Sequence, residues 1–157
     1  MTDFTLPAAL PGMSTREAII DVLYRVVIGL DLADLSLVDS AVTRDSRLDL
    51  DGNVLEGWDA IRSGMYDFIA PLDTTHSLSD FRVDIHGEGE TATVTAHAVA
   101  QHCPVGQGKV PDGPKLLAGS VYRVECVKDA GDGLWKAKDW KMKVIWAQGD
   151  LAVMARH

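Results

Sequence analysis

Four titratable side chains stand where proton-transfer chemistry could be built: Asp31, His76, His97 and His102. Asp31 closes a stretch that is otherwise apolar at helical spacing. His76 follows Thr74 and Thr75, just before the alternating Phe81, Val83 and Ile85. His97 lies within a strand-like run of small residues, and His102 ends it. An imidazole titrating near neutrality is a good general base. A carboxylate beside it would hold its tautomer and stabilise the imidazolium that forms when it takes a proton. Each residue also has an ordinary reading. An aspartate after a helix is commonly a solvated turn residue, and a lone histidine is commonly packed or on the surface. His97 and His102 have opposite parity on a straight strand, so at most one faces an interior unless a bulge intervenes. Local pattern leaves both readings open. Phosphate loops, nucleophile elbows, HExxH and EF-hand patterns are absent.

The elements that must position these residues follow from periodicity. Residues 1–13, with Pro7, Pro11 and Gly12, read as an irregular lead-in. Ser14-Thr15-Arg16-Glu17 is a capping box, and Ile19, Val22, Leu23, Val26, Val27 and Leu30 recur at helical spacing. The spacing predicts a helix over Thr15–Leu30 and a shorter one over Ala33–Ser40. Arg47–Leu50 alternates into Asp51-Gly52-Asn53, a turn that would return Leu55 beside Leu48. A third helix is expected from Trp58 through Met65 and Phe68 until Pro71 stops it. The second half is strand signal: from Phe81 to a turn at His86–Gly89, then Thr91–Gln101, Leu116–Lys128 and Leu134–Trp146. A Gly- and Pro-rich loop fills 104–114. In the last strand the even positions Trp140, Met142, Val144 and Trp146 are apolar. Helices followed by long antiparallel strands make an α+β chain. No internal repeat or interior linker divides it, so residues 14–150 are expected to form a single domain with a tail over 151–157. Strands curling around helices would enclose an apolar pocket.

Composition bounds the partners. Hydrophobic residues at 46% and charged residues at 24% are ordinary for a globular domain. A formal charge of −8 argues against nucleic acid or an anionic membrane. Lys136, Lys138, Lys141 and Lys143 read as the solvated face of a strand. No secretory signal and no membrane-spanning apolar run is present, so a cytoplasmic location is expected. Cys103 and Cys126 have neither CxxC nor zinc-ligand spacing and read as free thiols, one in a loop and one in a strand.

Taken in order, several stretches resemble one family: Arg16–Tyr24 leading to Gly29-Leu30-Asp31, Leu55-Glu56-Gly57-Trp58-Asp59-Ala60-Ile61, and Thr75–Phe81. Ala98-Val99-Ala100-Gln101-His102, Gly119-Ser120-Val121-Tyr122 and Asp132–Lys136 closing on Trp146 complete the series. The chain resembles the SnoaL-like, scytalone-dehydratase-like branch of the nuclear transport factor 2 superfamily over nearly its whole length. That resemblance implies a cystatin-like α+β barrel, a cone of curved, mostly antiparallel sheet closed by three to four helices. It also implies that Asp31 orients His76 for proton abstraction, with no metal or cofactor, and that His102 returns a proton or holds a carbonyl. Departures accompany it. Where scytalone dehydratase holds a carbonyl-polarising water with two tyrosines, this chain carries Leu30 and Leu50. Ser120 is retained, and Tyr122 falls near a family asparagine. A lysine of the related dehydrochlorinases is replaced by Val26. Scytalone is therefore not the expected substrate.

Two functions are weighed on this basis. One is a cofactor-independent lyase or isomerase acting on a hydrophobic oxygenated molecule, such as a polyketide, terpenoid or aromatic intermediate, with a cyclase or epoxide-opening activity as a near variant. Asp31, His76 and His102 would be its catalytic residues. Tyr24, Leu50, Trp58, Met65, Phe68, Ser120, Tyr122, Trp140 and Trp146 would contact substrate. The other is a non-catalytic ligand-binding or association module of the same fold. Relatives associate through the sheet, which implies a homodimer or homotrimer.

Overall fold

The computed structural model describes residue 4 and residues 6–155. Helix α1 spans Thr15–Asp31, and Ser14 caps it by accepting the Glu17 N–H at 3.1 Å. Ala33, at φ 54°, turns the chain out of α1. Asp34 then caps α2, Leu35–Ser40, by accepting the Leu37 N–H at 3.0 Å. The second helix therefore starts two residues later than its apolar spacing predicts. The crossing of α1 and α2 is tight: a Cβ on Gly29 would lie 2.5 Å from Val38 Cγ2 and 3.0 Å from the Asp34 carbonyl oxygen. Gly29→Ala is expected to destabilise the fold by about 1–3 kcal/mol, the cost of overpacking, measurable by urea unfolding.

Six strands follow: β1 (Val42–Leu50), β2 (Asn53–Glu56), β3 (Asp73–His86), β4 (Thr91–Cys103), β5 (Leu116–Lys128) and β6 (Trp135–Gly149). They form one sheet in the order β2-β1-β6-β5-β4-β3. All pairings are antiparallel except β1 with β6. The class is α+β as predicted, with the sheet curved and open: β2 and β3 are free edges, so no barrel closes. Helix α1 lies across β3, β4 and β6 on the concave side. Ile19, Val22, Leu23, Val94 and Val124 meet there with essentially no exposure.

Bulges account for most departures from the sequence reading. Strand β3 begins at Asp73, eight residues before Phe81, and its register shifts between Ser79 and Arg82, with Asp80 at φ 58°. The shift moves the inward set from even positions (His76, Leu78) to odd ones (Phe81, Val83), which hides the strand from a period-2 search. Strand β1 is likewise longer than the alternating Arg47–Leu50 because of a shift between Val42 and Arg47. In β6, Gly119 pairs with Trp146 but Ser120 pairs with Val144, so Ile145 is the extra residue. Parity reverses there.

The third helix is not continuous. Short α3 (Trp58–Ile61) passes through a π-helical turn, Arg62–Tyr66, into α4 (Asp67–Ile69). Gly64 in that turn is pressed on Leu55, where a Cβ would come within 2.7 Å of Leu55 Cδ2. Residues Leu151–Met154, read from sequence as tail, form a 3₁₀ turn that lies against β4 and β5. Among the described residues, no helix is long and apolar enough to cross a membrane.

Candidate active site

A cavity of about 380 Å³ lies between the helices and the concave face of the sheet. Its helical wall is apolar: Val26, Val27 and Leu30 from α1, with Met65, Phe68 and Ile69 from the third helical segment. Its sheet wall carries His76 from β3, His102 from β4, and Ser120 and Tyr122 from β5. Leu151 and Met154 of the 3₁₀ turn complete the lining.

Asp31 is the last residue of α1, where the partial negative charge of the helix terminus disfavours a carboxylate. Donors from β3 offset that cost. Oδ1 accepts Thr74 Oγ1–H at 2.8 Å and the His76 Nδ1–H at 2.6 Å, and Oδ2 accepts the His76 backbone N–H at 2.9 Å. The side chains are 15% and 7% exposed, for Asp31 and His76 respectively. A carboxylate only accepts, so the imidazole keeps its proton on Nδ1 and leaves Nε2 as its free nitrogen. Thr74 and His76 stand on one face of β3 because they are two residues apart. Thr74 carries the signal that a search for titratable groups passes over: its hydroxyl is the third donor to the carboxylate.

The His102 ring lies edge-on to His76, with centroids 5.4 Å apart and planes at 89°. It is 7% exposed, and its Nδ1 is buried without a hydrogen-bond partner. Burial first, and then the neighbouring His76, lower its pKa to about 4, outweighing the opposing Leu116 backbone. The neutral form therefore prevails at physiological pH. Between pH 6.5 and 4 the unfolded chain binds this proton and the folded chain does not, so stability falls as pH falls. His102→Gln is expected to remove a pH dependence of about 3 kcal/mol between pH 7 and 4, read as the difference from wild type in urea unfolding at the two pH values. His97, of opposite parity, lies outside, 59% exposed and 2.7 Å from Asp80 Oδ2.

Of the residues proposed from sequence to contact substrate, Leu50, Met65, Phe68, Ser120, Tyr122 and Trp140 line the cavity. Three do not. Tyr24 lies on the outer side of α1, 37% exposed, edge-on to Phe81. Trp58 is buried away from the cavity, with the Arg44 guanidinium 4.9 Å from its ring centroid. Trp146 is turned outside by the bulge at Ile145 and lies against Gly119, while Ala147 takes the inward place. Cys103 is the last residue of β4 rather than a loop residue, and both thiols are free and buried. Sequence reasoning did not find Asn53, Ala98, Ala100, Ala118 or the two residues of the 3₁₀ turn on the wall.

Residues 12–141 match the model of the SnoaL-like domain. The chain belongs to the SnoaL-like family. It is 51% identical over 152 residues to the terrestric acid biosynthesis cluster protein E of Penicillium crustosum, covering 96% of this chain and 97% of that protein. In fold it is similar to a candidate scytalone dehydratase of Novosphingobium aromaticivorans, with a TM-score of 0.74 at 20% identity, covering 86% of this chain and 87% of that one. It is also similar to a type 2 hexachlorocyclohexane dehydrochlorinase, with a TM-score of 0.72 at 16% identity over 91% and 93% of the two chains. This SnoaL-like chain thus shares its fold with a candidate scytalone dehydratase and with a hexachlorocyclohexane dehydrochlorinase.

Proposed function

We propose that this SnoaL-like protein is a cofactor-independent lyase or isomerase, in which His76 removes a proton from a hydrophobic, oxygenated small molecule. The observation that carries this reading is the 2.6 Å contact of His76 Nδ1 with Asp31, which leaves Nε2 free on a histidine of the cavity wall. His76 Nε2 takes the proton, and Asp31 stabilises the resulting imidazolium. Neutral His102, with a pKa lowered to about 4, serves as a hydrogen-bonding group rather than as a cationic acid. The His76 imidazolium is then the acid at hand to return the proton, either to a leaving hydroxyl or to another carbon. The first course is dehydration and the second isomerisation.

The apolar lining supports a hydrophobic substrate, and the Penicillium relative's place in a biosynthesis cluster supports an intermediate of secondary metabolism. An apolar cavity alone would equally serve a non-catalytic binding module, but such a module has no need of a hydrogen-bonded carboxylate–imidazole pair at its wall. The test is turnover of a panel of β-hydroxy ketones, enones and epoxides by wild type and His76→Ala. The substitution is expected to lower the rate by about 10²–10⁴-fold. Undiminished turnover would sink the assignment of the base.

A further inference from the structure

Three donors reach the Asp31 carboxylate, and all come from residues 74–76 of β3. Two of them do not depend on the imidazole. Thr74 Oγ1–H goes to Oδ1 at 2.8 Å, and the His76 backbone N–H goes to Oδ2 at 2.9 Å. A carboxylate only accepts, so the hydroxyl hydrogen must point at Oδ1. Strand β3 is an edge of the sheet, which leaves every second N–H free of the ladder, and the one at His76 is used here. The hydroxyl and the N–H thus form a fork with one prong on each oxygen. The fork matters because χ2 of an aspartate is a broad, roughly two-fold torsion. One hydrogen bond leaves the carboxylate free to turn about it, whereas two on different oxygens fix its plane. The imidazole then meets a preset acceptor, with Nδ1 2.6 Å from Oδ1. Thr74 is suited to hold one prong, because its branched Cβ restricts χ1. Its strand is held by ladder pairing with His102 and, one residue earlier, by Asp73 Oδ2 accepting the Gly108 N–H at 2.8 Å. Neither Thr74 nor Asp31 is part of the cavity wall, so Thr74 can act only through its neighbours.

We propose that Thr74 is a positioning residue for the base: its hydroxyl fixes the plane of the Asp31 carboxylate, and through it the direction in which His76 presents Nε2 to the cavity. The inference rests on His76 acting as base. The Nε2 lone pair must be aligned with the C–H bond that it breaks, and the ring is aimed from its far side by the Nδ1–H bond to Oδ1. Without the hydroxyl, Oδ2 keeps its N–H while Oδ1 can swing. The imidazole then loses its aim, though the carboxylate keeps its charge. The cost falls on turnover and not on substrate binding, because the cavity wall is untouched.

Thr74→Val replaces the hydroxyl by a methyl of similar shape, and Thr74→Ser keeps the donor without the methyl. Two measurements are made on each. The first is exchange of the His76 Nδ1–H with water, followed by NMR in the resting protein and assigned with His76→Ala, which needs no substrate. Thr74→Val is expected to quicken that exchange about 10-fold, the worth of one hydrogen bond, while Thr74→Ser stays within about threefold of wild type. The second is exchange of the α-hydrogens of 3-hydroxycyclohexanone in D2O. Here kcat should fall about 10-fold in Thr74→Val at unchanged KM and recover in Thr74→Ser. Thr74→Ala, which also lacks the hydroxyl, must follow Thr74→Val in both. An Nδ1–H that exchanges alike in wild type and Thr74→Val overturns the proposal. So does a Thr74→Ser as impaired as Thr74→Val, or a wild type with no hydrogen-bonded Nδ1–H resonance. A wild type that leaves the ketone unexchanged, or a His76→Ala that still exchanges it, overturns the base instead, and the NMR comparison still tells whether the hydroxyl holds the pair.

Discussion

Asp31→Asn is expected to lower the rate of α-proton removal by about 10⁴-fold while leaving the fold intact, as large an effect as removal of the base itself. The physical reason is the tautomer. Oδ1 of the carboxylate accepts the His76 Nδ1–H at 2.6 Å, and this holds the free lone pair on Nε2. An asparagine that turns its NH2 toward Nδ1 reverses the ring's protonation and places the hydrogen where the base must be. An asparagine oriented the other way keeps the tautomer but loses the charge that stabilises the imidazolium. A loss of stability of about 1–3 kcal/mol is expected beside it, because the amide NH2 faces at least one of the three donors that the carboxylate accepts, offset in part by removal of a negative charge from a helix C-terminus. Deuterium exchange into 3-hydroxycyclohexanone, set beside urea unfolding of the same variant, separates the two quantities. A variant that exchanges at the wild-type rate would show that Asp31 serves only to pin β3 to α1.

The largest expected effect on stability lies away from the cavity, at Arg25. Its side chain is 4% exposed, inside the angle between α1, the end of α2 and the start of β6. Nε donates to Asp21 Oδ2 at 3.2 Å, Nη1 donates to the Ser40 carbonyl at 2.7 Å and to Ser40 Oγ at 3.1 Å, and Nη2 donates to the Trp135 carbonyl. Every acceptor is thereby satisfied by one planar fork, which a lysine ammonium cannot imitate. Arg25→Ala strands the Asp21 carboxylate and the two carbonyls and is expected to cost about 3–5 kcal/mol. Equilibrium urea unfolding at pH 7 measures it, and a loss below about 1 kcal/mol, the range of an exposed pair, would show that water replaces the fork at no great cost.

Helix α1 and strands β4 and β5 were legible because each keeps one uninterrupted period over more than ten residues. Strand β3 was not, since the bulge at Ser79–Arg82 moves its inward face from His76 and Leu78 to Phe81 and Val83. An even-numbered apolar run assigns Trp146 to the pocket, and the extra residue Ile145 turns it out. Tyr24 and Trp58 show the complementary limit: a large aromatic on a helix declares that it packs, without declaring against what.

By itself the sequence determined the α+β order of elements, the face of α1 that is buried, and the opposite parity that lets only one of His97 and His102 face inward. It also named Asp31 and His76, through the order of residues that resembles the family. What only the tertiary structure decided is that their side chains meet. Asp31 ends a helix and His76 stands in a strand 45 positions later. Contact between them depends on how α1 lies across β3 and on where β3 begins. Periodicity reports which face of an element is apolar, whereas the distance between two elements is set by the packing of everything between them.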